Sequence, residues 1–181
     1  MTVHRGGAPL SIAGGVREFA RATPRATAVI DGDRMLTYAA LDERSSRLAC
    51  SLLASGLTAG QRVAVLMGNR LEYPEIAAGI AKAGLVMVPL NPRLTASEAR
   101  FILEHSGARA IVLDDALSLI VGDAIEELGL ISLSIDGARP AGRTRRRWRR
   151  RGRWIPPHGS TSSIHSASPT PRARRDGPRA C

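Results

Sequence analysis

RVAVLMGNRLEYPEIAAGIAKAGLVMVPLNPRLTASEARFILEHSGARAIVLDD, residues 62–115, is the stretch that decides the fold. Arg62 to Met67 is a compact apolar run of the kind a sheet buries on both faces. Asn69, with Glu72 three residues on, has the pattern of a capped helix start, and Gly84 closes that helix. Leu85 to Leu90 reads as a second buried strand, followed by a turn at Asn91 and Pro92. Thr95 and Glu98 form a capping box that opens a helix to about His105, and Ser106 and Gly107 end it. Ala108 to Leu113 is a third apolar strand. Strand, helix, strand, helix, strand implies parallel pairing with right-handed crossovers, so the class is α/β.

Working outward, the same alternation continues on both sides. Upstream, Leu10 to Ala22 reads as a helix ended by Pro24. Thr27–Asp31 and Arg34–Thr37 are two short strands joined by a two-residue turn, Gly32 and Asp33. A helix from about Tyr38 to Ala54 places Leu41, Leu48 and Leu52 on one face and stops at Gly56. Cys50 lies inside it as a small packing residue, with no base beside it in sequence to make it a nucleophile. Downstream, Asp114 and Asp115 open a helix to about Leu128, where their charge suits the N-terminal dipole. Ile131 to Ile135 is a last short strand.

The composition divides at residue 136. The chain has 181 residues and a net charge of +10, but residues 137–181 carry 13 Arg against one Asp, and residues 1–136 are slightly acidic. A uniformly basic nucleic-acid binder is excluded, and one domain plus a basic tail is expected. Ile76 to Leu90 is too short and too interrupted, by Lys82 and two glycines, to span a bilayer. Ala8 to Ala13 does not make a signal-peptide core. Cys50 and Cys181 lie far apart and one is the last residue, so no disulfide framework is expected and a cytoplasmic location is. His4, His105, His158 and His165 lack the spacing of a zinc site. Neither a dinucleotide nor a Walker-type glycine loop occurs in residues 1–136, and there is no nucleophile elbow. Asp114–Asp115 and Glu126–Glu127 are neighbours on a helix and point apart, so they read as caps or solvated faces. The sequence therefore nominates no catalytic, cofactor-binding or metal-binding residue.

Ala26 to Asp115 resembles the start of the adenylate-forming acyl-CoA synthetases. The likeness is carried by LTY at residues 36–38, the segment around RVAVLM, the Ala/Gly-rich helix after it, VPLNPRLTASEAR and SGARAIV, in that order. Fatty-acyl and related carboxylate ligases are the nearest in type, and benzoate-like and amino-acid-activating relatives share the region. The resemblance implies that residues 1–136 are the N-terminal portion of such an enzyme, a partial subdomain with a mainly parallel sheet and flanking helices. The family reaction joins a carboxylate to ATP, giving acyl-adenylate and pyrophosphate, and coenzyme A then displaces AMP. Its partners are a fatty or related carboxylic acid, ATP, Mg²⁺ and coenzyme A. The Ser/Thr/Gly-rich phosphate loop, the Thr-Glu motif, the ribose-binding Asp and the lysine of a mobile C-terminal domain all lie beyond the matched residues. No site residue is carried over, and the resemblance implies that this chain by itself retains no cofactor and is inactive.

The tail supports two further readings. RTRRRWRRRGRW, residues 143–154, could serve as a nucleic-acid-binding arm, with Arg on phosphates and Trp148 and Trp154 on bases. As a polypeptide without a function of its own it reads as disordered, because like charges and prolines cannot build a core. A change of reading frame near Asp136 accounts for more. When the ancestral codons begin at the third base of the present ones, PRARRDGPRAC at residues 171–181 converts to TSGTTGRPKGV, the family's phosphate-loop signature. Residues 145–154 become compatible with AAALAAARAV, and residues 161–164 with Asp-Val-Phe-Tyr. Arginine runs are what GC-rich alanine codons give out of register, and Arg outnumbers Lys 25 to 1 in this chain.

Overall fold

The computed structural model describes residues 11–135. Leu10 and the expectations placed on residues 137–181 lie outside that range. Helix α1 (Ile12–Ala22) begins at Ser11, whose hydroxyl accepts the Gly14 N–H at 3.0 Å. Strands β1 (Thr27–Asp31) and β2 (Arg34–Thr37) pair as the expected hairpin. Of its two turn residues only Gly32 has a positive φ, +58°, the pattern of a type II′ turn that suits the twist of paired strands. Helix α2 (Tyr38–Ala54) is capped by the Thr37 hydroxyl and buries Leu41, Leu48 and Leu52, as their spacing requires.

The remaining strands form one parallel sheet in the order β4-β3-β5-β6. They are β3 (Arg62–Leu66), β4 (Val86–Leu90), β5 (Ala110–Leu113) and β6 (Ile131–Ser134). Helices α3 (Glu72–Lys82), α4 (Ala96–Ser106) and α5 (Ser118–Glu127) make the three crossovers. The chain steps from β3 to one side, then back past β3 to β5 and on to β6. Keeping every crossover right-handed while reversing direction forces α3 onto one face of the sheet and α4 and α5 onto the other.

The period-two alternation of the strands sorts the core accordingly. Val63, Val65, Ala110, Val112 and Leu133 pack with Leu48, Leu52, Ile76 and Ile80 of α2 and α3. Ala64, Leu66, Ile111 and Leu113 pack with Leu103, Val121 and Ile125 of α4 and α5. Central strands β3 and β5 are therefore buried on both faces, as their apolar runs predict. A third, smaller cluster of Leu36, Leu41 and Leu71 fastens the hairpin to α2 and to the start of α3.

Three local expectations need correction. Asn69 does not cap α3: the helix starts at Glu72 after Leu71, with no side-chain cap, because Glu72 is drawn into ion pairs described below. Leu85–Leu90 is not a doubly buried strand. β4 is a sheet edge with Val86 46% exposed. The Val86 N–H bonds Gln61 O, and alternation turns position 89 away from β3, so the missing N–H of Pro89 costs the ladder nothing. Third, Asp114 opens a 3₁₀ turn, Asp115–Leu117, before α5 begins at Ser118. The capping box at Thr95 and Glu98 is present in full, and Gly107 ends α4 at φ +62°. Among the described residues, no helix is long and apolar enough to cross a membrane.

Candidate functional site

An open parallel sheet offers a ligand crevice at the carboxyl ends of its strands, where neighbouring crossovers leave to opposite faces. Here that point lies between β3, followed by α3 on one face, and β5, followed by α5 on the other. The residues that emerge there are Met67 to Arg70 and Asp114 to Asp115.

The crevice is bridged by charge. Arg70 Nη1 meets Asp114 Oδ2 at 2.8 Å across the two strand ends, and Arg70 Nε lies 3.4 Å from Glu72 Oε2. Arg34 of the hairpin reaches the other oxygen of Glu72 at 2.9 Å and also pairs with Asp31. Asp31 Oδ2 in turn accepts the Leu71 N–H at 3.2 Å. Signs alternate along this chain from Asp31 through Arg34, Glu72 and Arg70 to Asp114. The Arg34 bond holds Asp31 below the usual carboxylate range, and Asp31 and Glu72 together raise the Arg34 guanidinium. Asp114 is further fixed by accepting the Ala116 N–H at 3.1 Å, and its own N–H donates to Leu66 O at 3.0 Å. Ser134 at the end of β6 donates to Asp115.

This arrangement clamps the hairpin, the start of α3 and the end of β5 together. Each arginine is shared between two carboxylates, so part of its guanidinium is already engaged within the protein. No nucleophile–base pair joins the network. Among the described residues there is no group of three or more His, Cys, Asp or Glu able to hold a metal ion. A shallow surface depression lined by Gly14, Arg17, Glu18, Arg21 and Ala22 lies on α1 and involves none of these groups.

Comparison with known proteins decides the family. The family model described as AMP-binding enzyme matches residues 16–157. This chain belongs to the AMP-binding enzyme family. It is 45% identical over 98 residues to the fatty acid–[acyl-carrier-protein] ligase ScoC of Streptomyces coeruleorubidus, covering 54% of this chain and 19% of that protein. It is 41% identical over 112 residues to the long-chain-fatty-acid–CoA ligase FadD13 of Mycobacterium tuberculosis, covering 61% of this chain and 22% of that one. Among solved structures, a long-chain-fatty-acid CoA ligase from Rhodopseudomonas palustris superposes with a TM-score of 0.68 at 31% identity, over 74% of this chain and 35% of its own. A benzoate CoA ligase from Burkholderia xenovorans superposes with a TM-score of 0.65 at 30% identity, over 69% of this chain and 26% of its own. The chain thus spans about a fifth of the length of these curated relatives.

Within this chain, the acidic pairs part company. Asp114 caps, while Glu126 and Glu127 are exposed on α5, with Glu127 paired to Arg100. What sequence reasoning missed is the buried charge. Glu72 and Glu75 are both buried, and the Lys82 side chain is only 2% exposed. Lys82 Nζ donates to Asp42 O at 2.7 Å, Asp42 Oδ1 at 2.5 Å and Ser46 Oγ at 2.9 Å, tying α3 to α2. Burial pulls its pKa down against the opposing pull of Asp42. A signal was present: Glu72, Glu75, Ile76, Gly79 and Ile80 share one helical stripe, so both carboxylates sit on the face that carries the apolar residues.

Proposed function

We propose that residues 1–136 are the N-terminal portion of an ATP-dependent carboxylate–CoA ligase acting on a fatty or related acid in the cytoplasm. We further propose that the 181-residue chain does not itself activate a carboxylate. The observation that supports this most is the state of the crevice at the sheet's carboxyl ends. Its arginines are engaged by Asp31, Glu72 and Asp114, and no Ser/Thr/Gly-rich phosphate loop occurs in residues 11–135. In this reading the altered frame replaces the phosphate loop, and the other residues that the family uses for ATP, Mg²⁺ and coenzyme A are not found in this chain. The family match runs past Asp136 and ends at residue 157, before residues 171–181, which convert to the loop signature.

Two measurements test the reading. ATP–pyrophosphate exchange with fatty and aryl acids is expected to stay at background, and turnover above it would overturn the inactivity. Resequencing the DNA from codon 130 past the stop is expected to show GCA for Ala173, CGA for Arg174, CCA for Pro178 and AGG for Arg179, with an open frame beyond. Other codons at those positions would remove the frame-change explanation. The alternative, a nucleic-acid-binding protein acting through residues 143–154, rests on residues outside the described range. It requires tight, sequence-selective DNA binding at physiological salt that is lost on deleting residues 137–181.

A further inference from the structure

Glu75 has no solvent exposure and lies at the contact of α3 with α2. Its ionic partner is Arg44 of α2, with Nε 2.6 Å from Glu75 Oε2 and the Arg44 side chain 11% exposed. The contact is close but poorly aligned, so neither Glu75 oxygen accepts a well-formed bond and Arg44 acts on it chiefly through its charge. A buried carboxylate needs such bonds to offset its lost hydration. A neutral carboxylic acid in the same place has far less to replace, and the Arg44 guanidinium, 11% exposed, keeps some contact with water when its counter-charge is lost.

The other charges nearby do not supply what is missing. From α3, Glu72 sits one turn earlier and adds a like charge, and its own cations are Arg34 and Arg70. Lys82, two turns later on α3, is held by Asp42 and Ser46 of α2. Arg17 of α1 acts on Lys82. Arg44 is therefore the one cation set directly against Glu75 among these groups.

We propose that Glu75 takes up a proton when α3 docks on α2, so that the packing of these two helices is proton-linked and weakens as pH rises toward neutrality. Burial is the main cause, with Glu72 adding to it and Arg44 opposing, and together they push the carboxyl from 4.5 up to about 7. The folded protein then binds a proton between those two values that the unfolded chain does not. Stability is full below about pH 4.5, falls as pH rises to about 7, and is level above that.

The test is urea unfolding of the full chain from pH 5 to pH 8, alongside Glu75→Gln. In the native protein the folding constant is expected to drop on the order of 50- to 100-fold more than in the variant over this range. The same pH dependence in both proteins would overturn the proposal. A carboxyl ¹³C titration of the folded native protein decides the matter even if the variant does not fold. A Glu resonance absent from Glu75→Gln, or assigned directly to Glu75, is expected to titrate near neutrality. Titration of Glu75 in the ordinary range near 4.5 would overturn the proposal.

Discussion

The two helical layers on this sheet close their cores by different means. On the side of α4 and α5, the contact is aliphatic: Leu66, Ile111 and Leu113 meet Leu103, Val121 and Ile125. Polar groups on that side work at the helix ends, as in the Thr95–Glu98 box, or at the exposed surface, as in the Arg100–Glu127 pair. On the side of α2 and α3, aliphatic contacts around Leu48, Leu52, Ile76 and Ile80 are flanked by charge. Arg44 faces Glu75, and Lys82 is inserted between Asp42 and Ser46. The two helices also approach so closely that a Cβ on Gly79 would lie 2.9 Å from Leu48 Cδ2. One layer is held by packing that pH cannot touch, and the other by packing whose cost depends on where protons sit.

The strongest break in this contrast is expected from Leu103→Ala. Leu103 is fully buried in the aliphatic layer, so its truncation should cost about 2–5 kcal/mol. The cluster around Leu103 is aliphatic, so the loss measured by urea unfolding should be the same at pH 5 and pH 8. A pH-dependent loss would mean that the two layers are not independent.

Arg44→Met sharpens the other side. Removing one partner of a buried ion pair ordinarily costs about 3–5 kcal/mol, because the remaining charge is stranded. Glu75 has an escape, since it titrates at about 7 and can simply be protonated. At pH 8 the further cost of that protonation is bounded at about 1.4 kcal/mol, one pH unit above that value. At pH 5 the carboxyl is already neutral and this cost vanishes. A loss of about 3 kcal/mol or more at both pH values would show that Glu75 stays charged.

How much of this was legible follows the same division. The central strands announce themselves as VAVLM and AIVL, because burial on both faces leaves no polar residue in the run. The hairpin and the Thr95 box are legible because turn and cap chemistry is local. The α2–α3 contact is not local: Arg44 and Glu75 are 31 positions apart, and a lone charge in sequence reads as surface. Asn69 misled for a related reason, since the long-range pair to Arg34, with a local one to Arg70, fixes where Glu72 and the helix start lie. The clamp at the carboxyl ends needed the strand order itself, which places Arg70 beside Asp114 across 44 residues.

The finest comparison uses one substitution in both layers. Gly79 of α3 and Gly122 of α5 both sit inside helices, where alanine is intrinsically favoured by up to about 1 kcal/mol. At Gly79 the added Cβ meets Cδ2, Cγ and Cβ of Leu48 between 2.9 and 3.1 Å, so the whole leucine side chain has to move. Overpacking of that kind costs about 1–3 kcal/mol and should outweigh the propensity gain, leaving Gly79→Ala net destabilising by about 1 kcal/mol. At Gly122 nothing lies within 4 Å of the new atom, so the helix gain is unopposed. Gly122→Ala should therefore raise stability by about 0.5–1 kcal/mol, seen as a higher urea midpoint with an unchanged slope. Opposite signs for the same change would tie the difference to helix approach, because propensity alone treats the two glycines alike. A stabilising Gly79→Ala would mean that Leu48 yields freely and that α2 and α3 are less closely packed than 2.9 Å implies.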